Sequence, residues 1–325
     1  VSKPYPTPTT AAGSAPEPVR LGADEWRARE TAHAHRMRPW TEPHRRRRSR
    51  GEKHPVLDFL FTYYSHPPSH LARWQPGPDV VLTGERARRF LDRSGYRETD
   101  AGISVDPAAF TDRLARTTRR SLTLLEAVDR RRPRLNCFGL HEWAMVYRAD
   151  PDRIRHSQVP LRLGSAGTDE VVANSDLRCG HFDAFRFFTD EAVPRNRYHP
   201  TRDTQAALDQ PGCLHVGMDL YKWAYKLGPF VPAELVADCF ELAADIRTLD
   251  MRASPYDLRE FGYTPVRIET AEGRAEYARA QAAFARRAAP LRGRLITLCR
   301  GLLTRYTDDP PEPLPDRHGD PAPER

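Results

Sequence analysis

Four segments between Asn136 and Asp257 place ionisable side chains inside runs that are otherwise apolar, and this constrains the chain more than any other feature. They read NCFGLHEWAMVYR, RCGHFDAFRFFTDEA, GCLHVGMDLYKWAYKLGP and ELVADCFELAADIRTLDMRASPYDL. Three of the four open with a cysteine and a histidine, then set a carboxylate among aromatic residues. Charges are costly to bury unless paired or hydrogen-bonded, so such segments need internal partners or a chemical use for their charges.

Helical periodicity, at about 100° per residue, sorts these side chains onto faces. His141 and Glu142 flank the face of Phe138 and Met145 and are expected at the edge of the core. His181 shares a face with Ala184, Phe185 and Phe188, whereas Asp183 projects the other way with Phe187. His215, Asp219, Lys222 and Lys226 line one face, an arrangement that also suits a ladder of ion pairs. In the fourth segment Leu235, Cys239, Leu242, Ile246 and Leu249 form the apolar stripe. Asp238 and Asp245 border it and Glu241 lies further out, as a solvated acidic face would. Arg252, Tyr256 and Asp257 follow a turn and are expected to reach back over the site.

Two chemistries fit this pattern. His141, His181 and His215, with carboxylates nearby, offer the donors that zinc or non-haem iron takes, although their spacing matches no zinc finger and no H-E-x-x-H motif. Hydrogen-bonded core histidines are the structural alternative. General acid–base catalysis is the second: Glu142, Asp183 and Asp219 are the candidate carboxylates, because burial raises such a pKa and a nearby cation lowers it. Trp143, Tyr221 and Trp223 would wall a flat heterocycle, with Arg252 and Tyr256 completing the binding residues. Ordinary core packing accounts for aromatic residues at helical spacing equally well.

Lysine occurs only at 3, 53, 222 and 226 and arginine takes every other basic position, which singles out Lys222 and Lys226. Lysine is the compact cation whose pKa moves readily on burial.

Elsewhere, Asp24 is a cap for a helix beginning EWRARETAHAHRMRPW, expected to pack only lightly because Trp26, Ala32 and Met37 make no wide stripe. Arg45, Arg46, Arg47, Arg48, Arg50 and Lys53 then form a basic run bounded by Pro43 and Pro55: an exposed arm or solvated face, or a phosphate-binding one. VLDFLFTYYS reads as interior, with Asp58 paired to an arginine or His54. Residues 66–106 look like an insertion carrying one strand at VVLTG. Phe110, Leu114, Ser121, Leu122, Leu125 and Val128 mark one face of an amphipathic helix. LRL and PVRIET are possible strands, Thr168 a cap, and the helix from about 271 to 303 is expected to break at Pro290. GSAG matches neither phosphate-loop spacing.

The expected fold is therefore mainly α: one helical domain over 23–306 with a few short strands, a disordered lead at 1–22 and a disordered tail at 307–325. No stretch approaches the ~20 apolar residues of a membrane helix. Five cysteines without a C-x-x-C pair argue for reduced thiols in a cytoplasm. A net charge of +7 admits an acidic partner, with nucleic acid the first candidate.

HEWAMVYR, CGHFDAFRFFT, MDLYKWAYKL and LVADCFELAADIRTLDMRASPYDL resemble a bacterial family, chiefly actinobacterial, commonly labelled 3-methyladenine DNA glycosylase. GEKHPVLDFLFTYYS and PVRIETAEGRAEYARAQAAFARRAAPLR are similar to it too, so the resemblance spans residues 24 to 305 apart from much of the insertion. It implies an enzyme, without cofactor, that meets double-stranded DNA near the bacterial nucleoid. The Arg45–Lys53 run would neutralise phosphates, and aromatic side chains would hold the extruded cationic base. A carboxylate would orient water as the base departs, and Lys222 or Lys226 would pair with Asp219 or form a Schiff base with the aldehyde left behind.

Overall fold

Ala23–Ser49 form a single helix, α1, in the computed structural model, which describes residues 17–150, 158–309 and 311. The helix runs through Pro39 and Pro43 and takes in Arg45 to Arg48, so most of the basic run is helical rather than an arm. Each proline removes one N–H from the ladder. The two stand four residues apart on the outward side, where water can satisfy the freed carbonyls. Gly22 is the N-cap and Asp24 sits in the first turn. Far from packing lightly, α1 buries Trp26, His33, Met37, Thr41 and His44 along one stripe. Two histidines and a threonine fill positions that a count of apolar residues leaves empty.

The apolar segment after α1 is interior as expected, but helical only over Phe59–Tyr63 (α2), followed by Pro68–Leu71 (α3). Asp58 is paired twice, accepting from Arg47 at 2.5 Å and bonded to His44 at 2.8 Å. His54 contributes its backbone N–H rather than its ring.

Residues 66–106 carry more than one strand. Val80–Leu82 (β2), Tyr96–Thr99 (β3) and Gly102–Val105 (β4) join Val19–Leu21 (β1) in a sheet of order β1-β2-β4-β3. β1 is parallel to β2, β4 is antiparallel to both β2 and β3, and β1 comes from the stretch expected to be disordered. Beneath the sheet, Leu21, Trp26, Trp74, Leu82, Phe90 and Ile103 form a small core of their own.

The main core lies among Asp112–Asp129 (α4), Leu214–Lys226 (α9), Ala233–Arg252 (α10) and Ala271–Tyr306 (α11). α9 packs along α10 at close range: a Cβ added to Gly217 would lie 2.8 Å from Ile246 Cδ1. α11 continues through Pro290, which is exposed, so the expected break is absent. Around these helices lie four short ones, Leu140–Ala144 (α5), Gly164–Ala173 (α6), Phe182–Phe185 (α7) and Gln205–Leu208 (α8). Neither LRL nor PVRIET is a strand, although Leu161 makes one isolated bridge to Tyr256. Thr168 is inside α6, donating its hydroxyl to the Gly164 carbonyl, and caps nothing.

The expected disorder at 1–16, 310 and 312–325 lies outside the described residues. Among the described residues, no helix is long and apolar enough to cross a membrane.

Candidate functional site

α5, α7, α9 and α10 turn ionisable side chains toward one another. Gly139 precedes α5 with φ +71°, and a Cβ there would meet the Tyr277 ring at 3.2 Å. That tight start turns both His141 and Glu142 inward, where they are buried rather than at the edge of the core. α7 begins only at Phe182, so His181 has extended backbone (φ −94°, ψ 120°) and helical periodicity does not apply to it. His181 and Asp183 consequently reach the same cluster instead of opposite sides. On α9, His215, Asp219 and Lys222 share a face as the spacing predicts, with Lys226 at its exposed end.

The cluster is continuous. Arg247 of α10 donates to Glu142 at 2.6 Å and to Asp250 at 3.0 Å. Asp250 is bonded to His141 at 2.8 Å. The His141 ring meets His215 edge-on with centroids 4.5 Å apart, and His215 stacks on His181 at 5.2 Å. His181 Nδ1 is bonded to Asp209 at 3.1 Å, while its buried Nε2 has no hydrogen-bond partner and lies 3.8 Å from Asp219. Lys222 closes the chain, donating to Asp183 at 2.9 Å and Asp219 at 3.0 Å, and Tyr64 donates to Asp219 at 3.2 Å. Two groups hold ligand atoms within 4.8 Å of one another: His141, His215 and Asp250, and then His181, Asp183 and Asp219.

Charge explains the protonation states. Five carboxylates (Glu142, Asp183, Asp209, Asp219 and Asp250) face two buried permanent cations, Arg247 and Lys222, with Arg186 at the rim 3.5 Å from Asp183 and Arg131 on the Asp209 carbonyl at 2.8 Å. Burial opposes a charge on His141 and His181, but Asp250 and Asp209 respectively outweigh it and raise both pKa values. Burial pushes His215 well down, and His141 beside it adds to the effect. Burial would raise Asp250 and Asp183, yet His141 and Lys222 hold them below the usual carboxylate range. Lys222 is raised, because Asp219 and Asp183 overcome its burial.

These shifts set a pH dependence. The raised histidines contribute stability that is complete below the ordinary pKa of 6.5 and lost as pH climbs through their folded values. The depressed His215 contributes stability present above 6.5 and lost as pH falls below it. Urea midpoints are therefore expected to peak at about pH 6.5 and fall on both sides. A midpoint that stays flat from about pH 5 to 9 would contradict this.

A slot of about 20 Å³, room for one water or ion, opens over Glu142, Asp183, His215 and Arg247, with Phe59, Tyr63, Phe187 and Tyr256 around it. On the inner side, Cys137, Cys179 and Cys213 line a second small pocket with His141 and His215. Burial raises all three thiols, Cys179 to about 12, which keeps them protonated.

Several residues fall elsewhere than the sequence suggests. Trp143 is fully buried with its indole N–H on the Ala253 carbonyl, and Tyr221 is fully buried with its hydroxyl on His66, so neither walls an open site. Arg252 binds the Thr264 carbonyl and Glu276, away from the cluster. Tyr256 does reach the slot, and Trp223 faces a neighbouring cleft. Of the basic run, Arg47 is committed to Asp58, Arg46 reaches Glu42 and Arg50 reaches Glu52. Arg45, Arg46 and Arg48 line a shallow groove, while Arg50 and Lys53 are exposed beyond the helix end. Asp238, Glu241 and Asp245 are matched by Arg36, Arg294 and Arg287 at the surface. Sequence reasoning missed Arg247, Asp250, Asp209 and Tyr64.

No family model matches the chain, and no curated protein or solved structure matches it either.

Proposed function

We propose that the buried histidine–carboxylate cluster is an active centre working with a bound divalent cation, zinc or non-haem iron, on a small molecule admitted at the slot. The observation that carries this reading is His181 Nε2, an enclosed lone pair or N–H with no partner, 3.8 Å from the Asp219 carboxylate. An unmatched buried nitrogen is costly, and a cation between it and the carboxylate would satisfy both. The excess of carboxylates over permanent cations points the same way. Protonated His141 and His181 supply the missing charge in the absence of an ion and would release those protons as one binds. His141, His215 and Asp250 would hold an ion at one end, and His181, Asp183 and Asp219 at the other. A bound ion would supply Lewis acidity and an acidified water. The chain's own groups orient the ligands: Asp209 fixes His181 and Arg247 fixes Asp250.

A second reading, a 3-methyladenine-type DNA glycosylase, is favoured by the four aromatic rings around the slot and by its position. Arg47 of the basic helix end grips Asp58, the residue before Phe59 of the slot wall. On this reading the slot widens to admit a base, Glu142 or Asp183 orients water, and the outer arginines meet phosphates.

One experiment separates the two. Elemental analysis of the purified chain is expected to find stoichiometric zinc or iron, lost in His181→Ala and Asp219→Asn proteins that retain the wild-type circular dichroism. A chain that neither carries nor takes up an ion overturns the first reading. Release of free 3-methyladenine from alkylated DNA in the presence of EDTA, abolished by Glu142→Gln, would establish the second.

A further inference from the structure

Asp183 has two sides. One faces the buried cluster; the other lines a cleft of about 340 Å³ bounded by α4, α7, α8 and α9. Four cations reach this cleft: Arg120 from α4, Arg202 from the loop before α8, and Lys222 and Lys226 from α9. Asp183 is the one carboxylate among the described residues that line it, and Lys222 already neutralises it. Arg120, Arg202 and Lys226 make no ion pair among the described residues. Aromatic rings back the cations: Lys222 and Lys226 lie 4.7 and 5.8 Å from the Trp223 ring centroid, and Arg202 lies 5.6 Å from that of Phe182.

We infer that this cleft binds a phosphate group, placing a phosphorylated ligand beside the cluster. Like charges gathered in a concave site with apolar walls focus a positive potential, and the cations crowd one another until an anion arrives. Partial burial lowers the pKa of Lys226, and the neighbouring Lys222 lowers it further, as a crowded cation would. Arginine forks and a lysine point charge suit the several oxygens of a dianionic phosphate, whereas a single carboxylate would leave cations unmatched. The volume falls at the lower end of small-molecule sites, of about 300–1,000 Å³, so a mononucleotide-sized ester fits. The cleft needs no metal ion for this, and it is separate from the basic helix end to which the glycosylase reading assigns phosphates.

Calorimetric titration of the full chain with inorganic phosphate, AMP and a short single-stranded oligonucleotide, each with and without EDTA, tests it. All three are expected to bind regardless of EDTA, and Arg120→Ala and Lys226→Ala are each expected to weaken binding about tenfold. Both side chains are exposed, so the variants keep the fold, which circular dichroism checks. AMP binding as well as the oligonucleotide identifies a free phosphorylated small molecule as the source. Tighter oligonucleotide binding that falls steeply with salt identifies a nucleic-acid backbone. No binding of any probe at millimolar concentration, or binding that both variants leave unchanged, overturns the inference. Because EDTA is an arm of the experiment, failure of the metal reading leaves this result interpretable.

Discussion

Replacing Arg247 with methionine is expected to destabilise the fold by about 3–5 kcal/mol, the largest effect of any single change in the cluster. The guanidinium is 2% exposed and sits between two carboxylates, Glu142 at 2.6 Å and Asp250 at 3.0 Å, with its carbon 3.9 Å from the Phe59 ring centroid. Methionine keeps most of the stem and its packing, so the loss reports charge rather than a cavity. Asp250 retains His141 at 2.8 Å, whereas Glu142 keeps no other ion pair among the described residues and takes most of the damage. Adding Glu142→Gln to Arg247→Met should therefore recover part of the loss. Urea unfolding of the single and double variants measures both effects. A single-variant loss below about 1 kcal/mol would mean that water reaches Glu142 and that the pair behaves like a surface bridge.

Lys222→Met is expected to cost about 2 kcal/mol, less than Arg247→Met because the lysine side chain is 14% exposed and Asp183 opens toward solvent. Asp219, nearly enclosed, is left with the Tyr64 hydroxyl and the more distant His181 ring. His181 should titrate higher still, since Lys222 is among the groups that lower it. The ammonium also bridges both carboxylates of one candidate ligand group, where it competes with an ion. Zinc is therefore expected to restore more stability to Lys222→Met than to the wild type. Thermal unfolding in zinc against EDTA reads this directly, and an equal zinc response in both proteins would leave the ammonium as a structural partner only.

The core helices were legible because their apolar residues repeat at helical spacing. On α4, Leu122, Leu125 and Val128 are buried as the stripe predicts, whereas Phe110 precedes the helix and Leu114 is half-buried; on α9 the residues His215, Asp219 and Lys222 stand together as their spacing predicts. Asp250 carries an ambiguous signal: at about 100° per residue it lies about 20° outside Cys239 at one edge of the apolar stripe, just as Asp238 lies about 20° outside Leu249 at the other, and only docking buries the first and leaves the second at the surface. Arg247 carries a weaker signal, about 100° from Ile246, because a long side chain can enter a core from a flank. Asp209 and Tyr64 carry none, since each lies at the end of a short helix where periodicity stops.

The residue order by itself determined the long helices, their apolar stripes and the presence of charges that have to be buried, because these follow from spacing along one element. Which charges meet depends on how separate elements dock. His181 turned inward only because α7 starts one residue after it, and Glu142 found Arg247 across 105 positions of sequence. Tertiary packing alone made the sheet from β1 and a distant segment, and drew Arg47 out of the basic run to Asp58. Partner choice among charges is set by distances across space, on which local periodicity is silent.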